Sequence, residues 1–307
     1  MSGLPARILL ATDGSREAAF AARAAADVCF RAGSELHVVH VWQDVPPRPE
    51  RPDSDSLLHE LEARERLEEQ TERLEEYGAT VSGEHLRRGS PAGEIVRLAE
   101  ELEAGLVVVG SRGLGPVKRL VVGSVSRDVV HLASRPTLVV RGGPGAWPPP
   151  RVVIGDDSSE EAKRAGDLAA SIARLFDAQV FLVRAGDPEP QRCSEEWSPK
   201  IQRERAVIAR MCQRRRLKEG LEGRARELEE RLGRTPFVRA AVGDAADFIM
   251  EVAGEGEKPA LIAVGRRGLG TIRSALLGSV SGRITSVASG PVLILRNQSC
   301  RGAWAGF

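Results

Sequence analysis

The 307-residue sequence predicts an α/β protein of two tandem domains, each a doubly wound, five-stranded parallel sheet, related by pseudo-twofold symmetry. Three observations predict it. The chain repeats itself. Within each repeat, short β-rich apolar runs alternate with helical patterns. Runs such as Leu106 to Val109 and Leu261 to Val264 are apolar at successive positions, the pattern of strands covered on both faces.

The repeat sets the architecture before any local element is read. Ile8-Leu-Leu-Ala-Thr-Asp13-Gly-Ser15-Arg-Glu17-Ala18 recurs as Val152-Val-Ile-Gly-Asp-Asp157-Ser-Ser159-Glu-Glu161-Ala162, a shift of 144 that pairs Asp13 with Asp157. Val107 to Arg141 aligns with Ile262 to Arg296 at a shift of 155, with 15 of 35 positions identical, so the second half gains 11 residues between the two blocks. The gain falls in Asp187 to Arg234, the counterpart of Asp44 to Gly78, and variable length in a charged segment predicts a surface excursion rather than core. Gly142-Gly-Pro-Gly-Ala-Trp-Pro-Pro-Pro150 can continue neither a helix nor a central strand, which sets domains at 1–143 and 151–297.

In order, the first half reads as strand 7–12, helix 16–32, strand 35–42, helix 55–77, strand 80–87, helix 91–103, strand 105–110, helix 124–133 and strand 137–141. Ser90-Pro91 starts the third helix with a capping residue and a first-turn proline, and Gly243-Asp244 starts its counterpart. Leu57 to Tyr77 and Glu195 to Leu232 are thick with Glu and Arg. Leucines at 57, 58, 61, 67 and 74 hold no heptad register, which favours a covering amphipathic helix over a coiled coil. Strands 137–140 and 292–295 are the expected seam, packed as two subunits of a homodimer would be.

Composition excludes several classes. Lys and Arg number 44 against 43 Asp and Glu, so the net charge of +1 gives no field to gather nucleic acid or an anionic membrane. The cations at Arg203, Arg205, Arg210, Arg214, Arg215 and Arg216 are interleaved with Glu204, Glu219 and Glu222 and lack stacking aromatics, which makes nucleic-acid binding the weakest reading. The first residues lack an apolar signal region and no apolar run approaches the ~20 residues of a membrane span, so a cytoplasmic protein is expected. Cys29, Cys193, Cys212 and Cys300 show neither a close pairing nor a metal spacing, so no metal site is expected, and Cys29 reads as a small buried hydrophobe.

The sharpest chemical signal is Gly110-Ser-Arg112-Gly113, nine residues, then Gly123-Ser124-Val125, after one strand and opening a helix. It recurs without a gap as Gly265-Arg-Arg267-Gly268, nine residues, Gly278-Ser279-Val280. The carboxyl end of a parallel strand faces the crevice where such sheets take ligands, and a helix start offers N–H groups to phosphate. Glycine lets backbone approach oxygens that a Cβ would block. Arg112 and Arg267, with Lys118, Arg119, Arg266 and Arg273, could offset nucleotide charge or could be solvated loop cations. Asp13 and Asp157, at strand ends, read either as ligands or as caps of the helices that follow, and Asp156, beside Asp157, reads as a solvated turn residue.

With these residues the whole chain resembles a tandem universal stress protein, and the G-x-x-G, nine-residue, G-[ST] pattern resembles the family's ATP-binding subgroup. The resemblance implies a Rossmann-like, adenine nucleotide alpha hydrolase-like fold holding ATP, with or without Mg²⁺. It assigns phosphate and ribose to Gly110, Gly113, Gly123 and Ser124, and to Gly265, Gly268, Gly278 and Ser279. It places Asp13 or Asp157 on the adenine or ribose side and matches Val41, with Ala185 as its counterpart, to an adenine contact. It also implies a nucleotide-dependent regulatory or stress-response module, partnered by a second copy or by another protein.

No Walker A sequence, G-x-S-x-G elbow, H-E-x-x-H or kinase signature is present, and the five histidines all lie in the first half, which excludes a catalytic histidine common to both. Little or no catalysis is expected, and no catalytic residue is assigned. The alternative is a slow ATPase or nucleotidyl-transfer enzyme in the same crevice, although Ala11-Thr-Asp-Gly-Ser15 lacks the S-G-G-x-D-S type of loop.

Overall fold

The computed structural model describes residues 3–43, 54–111, 123–141, 143, 145–189, 198–266 and 278–295. The first half runs β1 (Arg7–Ala11), α1 (Arg16–Ala32), β2 (Glu35–Trp42), α2 (Ser54–Glu76), β3 (Val81–Arg88), α3 (Pro91–Glu101), β4 (Leu106–Gly110), α4 (Ser124–Leu132) and β5 (Thr137–Val140). The second runs β6 (Arg151–Gly155), α5 (Glu160–Leu175), β7 (Gln179–Gly186), α6 (Pro199–Glu219), α7 (Glu222–Leu232), β8 (Phe237–Val242), α8 (Ala245–Gly254), β9 (Leu261–Gly265), α9 (Ser279–Val287) and β10 (Val292–Leu295).

All strand pairs within a half are parallel, in the orders β3-β2-β1-β4-β5 and β8-β7-β6-β9-β10. The two five-stranded sheets join into one of ten strands through antiparallel β5 and β10, with Leu138 opposite Leu293, the seam expected from the sequence. Because β1, β4, β6 and β9 are interior strands, their residues other than Arg7 and Gly265 are buried on both faces, which explains the unbroken apolar runs. One core layer packs α1, α2, α5 and α7 on the sheet and the other packs α3, α4, α8 and α9, and each layer runs through both halves. Trp147, in the linker, is buried in the first layer edge-on to Phe176, with ring centroids 5.3 Å apart.

The expected excursion between Asp187 and Arg234 is not wholly surface. It includes two helices, α6 and α7, broken at Gly220, and Leu221, the N-cap of the second, lies in the core with that helix's Leu228 and Leu232. A Cβ at Gly220 would come within 3.0 Å of the Arg184 Nη1, so the break sits where that arginine passes. Ser90 stands at the N-cap of α3 with Pro91 inside it, but its hydroxyl makes no capping bond; Asp244 does cap α8, accepting from the Asp247 amide at 2.8 Å.

Candidate functional site

Strand order reverses direction between β1 and β4 and again between β6 and β9, and chain turns meet at the carboxyl ends of both pairs. After β1 the chain turns at Gly14, whose φ of 76° is a left-handed conformation. The Asp13 Oδ1 accepts from the Ser15 amide at 3.0 Å, and the Ser15 hydroxyl accepts from the Ala18 amide at 3.1 Å, capping α1. The second half builds the same turn: Asp157 Oδ1 accepts from Ser159 at 2.9 Å, Ser159 caps α5 through the Ala162 amide, and Ser158 takes the left-handed position at φ 67°. Both aspartates therefore hold the turn while the serines cap the helices.

Gly110 and Gly265 end β4 and β9. A Cβ at Gly110 would lie 2.9 Å from the carbonyl carbon and oxygen of Glu17, and one at Gly265 would lie 2.8 Å from the Ala162 amide nitrogen. The space these glycines leave is thus taken by the first turns of α1 and α5. That packing brings the start of α1 to the end of β4, and of α5 to the end of β9.

The next loop has an identical stem in each half. The Ser111 amide donates to the Val140 carbonyl at 2.9 Å and Gly123 donates to the Ser111 carbonyl at 2.8 Å; Arg266 donates to Leu295 at 2.8 Å and Gly278 to Arg266 at 3.0 Å. The Ser126 hydroxyl donates to the Gly110 carbonyl at 2.6 Å, and the Ser281 hydroxyl to the Arg266 carbonyl at 2.8 Å. Gly123 and Gly278 are the N-caps of α4 and α9, and neither helix start has a side-chain cap. Their first residues, Ser124 with Val125 and Ser279 with Val280, begin the helices beside the strand ends, Val125 and both serines exposed. Arg112, Gly113, Lys118, Arg119, Arg267, Gly268 and Arg273 lie outside the described residues.

Val41, near the end of β2, is partly buried and packs on the second core layer, while Ala185 stands at the matching place in β7. Beside them the halves diverge. In the first, the His40 Nδ1 lies 2.8 Å from the Thr12 carbonyl, and the buried Thr12 hydroxyl donates to Gln70 of α2 at 3.4 Å. In the second, Arg184 donates to the Asp156 carbonyl at 3.1 Å, to its carboxylate at 2.5 Å and to the Ser158 hydroxyl at 2.7 Å. Arg224 of α7 stands 3.8 Å from the same carboxylate and donates to Asp167 at 2.7 Å. Where Thr12 makes hydrogen bonds in one half, its counterpart Asp156 holds an ionic network in the other. Sequence reasoning treats Asp156 as a solvated turn residue; its side chain is 3% exposed, because Arg184 and Arg224 supply the charge that burial requires.

The histidines do not enter this site as a group. His37 and His85 face each other across β2 and β3, Nδ1 to Nε2 at 3.1 Å. Burial, then the charges of His37 and Arg87, push the His85 pKa down, against a weaker pull from Glu101. No cluster of three or more metal-ligating side chains occurs among the described residues, and no helix among them is long and apolar enough to cross a membrane.

Fold and site together define a tandem α/β protein in which, in each half, turns and helix starts meet at the carboxyl ends of the two strands where strand order reverses. The sequence model of the Universal stress protein family matches residues 6–141 and again 150–296, and the chain belongs to this family. A universal stress protein of Mycobacterium bovis is 30% identical over 305 residues, covering 94% of this chain and 96% of its own length. One of Mycolicibacterium smegmatis is 29% identical over 304 residues, covering 94% and 96%. The crystal structure of a universal stress protein from Archaeoglobus fulgidus, 21% identical, matches with a TM-score of 0.67 over 96% of this chain and 99% of that one, a likeness of fold.

Proposed function

We propose that each half binds an adenine nucleotide, ATP, at its strand-end cleft, and that occupancy serves regulation rather than fast chemistry. One observation carries the reading. In both halves an aspartate-held turn, a strand-ending glycine and an uncapped Gly-Ser helix start are gathered at the reversal of strand order, though the surrounding residues differ. Main-chain amides at the starts of α4 and α9 would take phosphate oxygens. The hydroxyls of Ser124 and Ser279, exposed beside them, would add donors. Each exposed contact of this kind supplies only about 0.3–1 kcal/mol, so several must act together. Val41 and Ala185 would flank the base, and Asp13 and Asp157 its sugar side.

The test uses Ser124→Asp and Ser279→Asp. A carboxylate in the first turn of a helix favours the helix dipole, so the fold should be undisturbed. The same charge repels a triphosphate, and ATP affinity at the altered site should fall tenfold or more, ~1.4 kcal/mol. Calorimetric titration of the purified chain should show saturable ATP binding that the double variant loses. Unchanged binding in a stably folded double variant would overturn the assignment.

A further inference from the structure

We propose that the acidic helix α2 of one copy docks on the basic helix α6 of a second copy, so that the chain associates with itself head to tail. The two helices stand at opposite ends of the ten-stranded sheet, α2 over β2 and β3, α6 over β7 and β8. Each presents large apolar side chains to solvent. On α2, Leu57, Leu58 and Leu61 are 68%, 56% and 56% exposed; on α6, Ile201, Val207, Ile208 and Met211 are 46%, 58%, 60% and 67% exposed. Within each helix these positions fall on one face.

Charge decides the partner. The Ser54–Glu76 helix carries nine acidic against three basic residues, and the Pro199–Glu219 helix eight basic against two acidic. Pairing α2 with α2, or α6 with α6, would cover the leucines or isoleucines but press like charges together. Only α2 against α6 buries both apolar faces and sets opposite charges around the rim. The contact is heterologous: one alone joins two copies end to end, and two related by a twofold axis close the pair. It is independent of the nucleotide reading.

Sedimentation velocity on the full chain tests it. The wild-type protein should associate with rising concentration, less so at high salt, since rim charges are screened. Leu58→Asp with Leu61→Asp, and separately Ile208→Asp with Met211→Asp, should each give monomers with unchanged circular dichroism. An equimolar mixture of the two variants should regain a 1:1 pair, because one retains α6 and the other retains α2. Arg203→Glu with Arg210→Glu, which leaves the apolar face intact, should also weaken association. A wild-type chain that is monomeric up to its solubility limit, a single-helix variant that still associates, or a mixture that stays monomeric would each overturn the proposal.

Discussion

Replacing Gly110 with alanine sets the cost of the packing between the end of β4 and the start of α1. The added Cβ would fall 2.9 Å from the carbonyl carbon and oxygen of Glu17 and 3.0 Å from the Ala18 nitrogen, whereas ordinary contact begins near 3.4 Å. All three atoms are backbone of the first turn of α1, so no side chain can swing aside and the helix start must retreat by a few tenths of an ångström. Overpacking of this kind costs about 1–3 kcal/mol. At roughly 2–4 °C per kcal/mol for a domain of this size, Gly110→Ala should lower the melting temperature by several degrees in a calorimetric scan. Gly223→Ala is the control: it sits in α7 with nothing within 4 Å of its Cβ, and alanine in a helix should stabilise by up to about 1 kcal/mol. A Gly110→Ala protein melting at or above the parent would refute the reasoning that α1 occupies that space.

Three further perturbations probe other buried groups. Arg184→Ala removes the closest charge from the buried Asp156 carboxylate and leaves Arg224 at 3.8 Å, so chemical denaturation should show a loss of about 3 kcal/mol, the low end for a broken buried pair; a loss under ~1 kcal/mol would mean that Arg224 suffices alone. The His85 pKa is lowered in the folded chain, so the unfolded chain binds its proton more tightly and stability should decline as pH falls below the ordinary 6.5; His85→Gln should flatten that slope, and an unaltered slope would assign it elsewhere. Burial pushes the Cys29 thiol up to about 12, so native protein at mildly alkaline pH should alkylate at the exposed Cys212 and not at Cys29 until it unfolds, as peptide mass mapping would reveal.

Much of this fold is legible in the residues because its signals are local or repeated. Ile8 to Ala11 and Leu106 to Val109 announce buried parallel strands by their unbroken apolar runs, and the first-half strands and helices begin and end within two residues of their expected places. The seam at β5 and β10 follows from the repeat itself. What the sequence conceals is non-local. Nothing near Asp156 tells of Arg184, 28 residues on, or of Arg224 on a helix beyond it, so a buried ionic network reads as a wet turn. The break at Gly220 is masked by strong helix formers on both sides. At the cleft, Gly110 and Gly265 are recognisable as special, but only the neighbouring helix explains the space they leave. From the sequence Asp13 and Asp157 read either as ligands or as caps; the structure gives the caps to Ser15 and Ser159 and sets both aspartates in the turn before them.

A crystal structure of the chain grown with ATP tests the central claim most directly. It should place phosphate oxygens about 3 Å from the main-chain nitrogens that open α4 and α9, at Ser124 and Val125 and at Ser279 and Val280, with each base toward Val41 or Ala185. Nucleotide bound away from both strand-end clefts, or clefts that remain empty under saturating ATP, would contradict it.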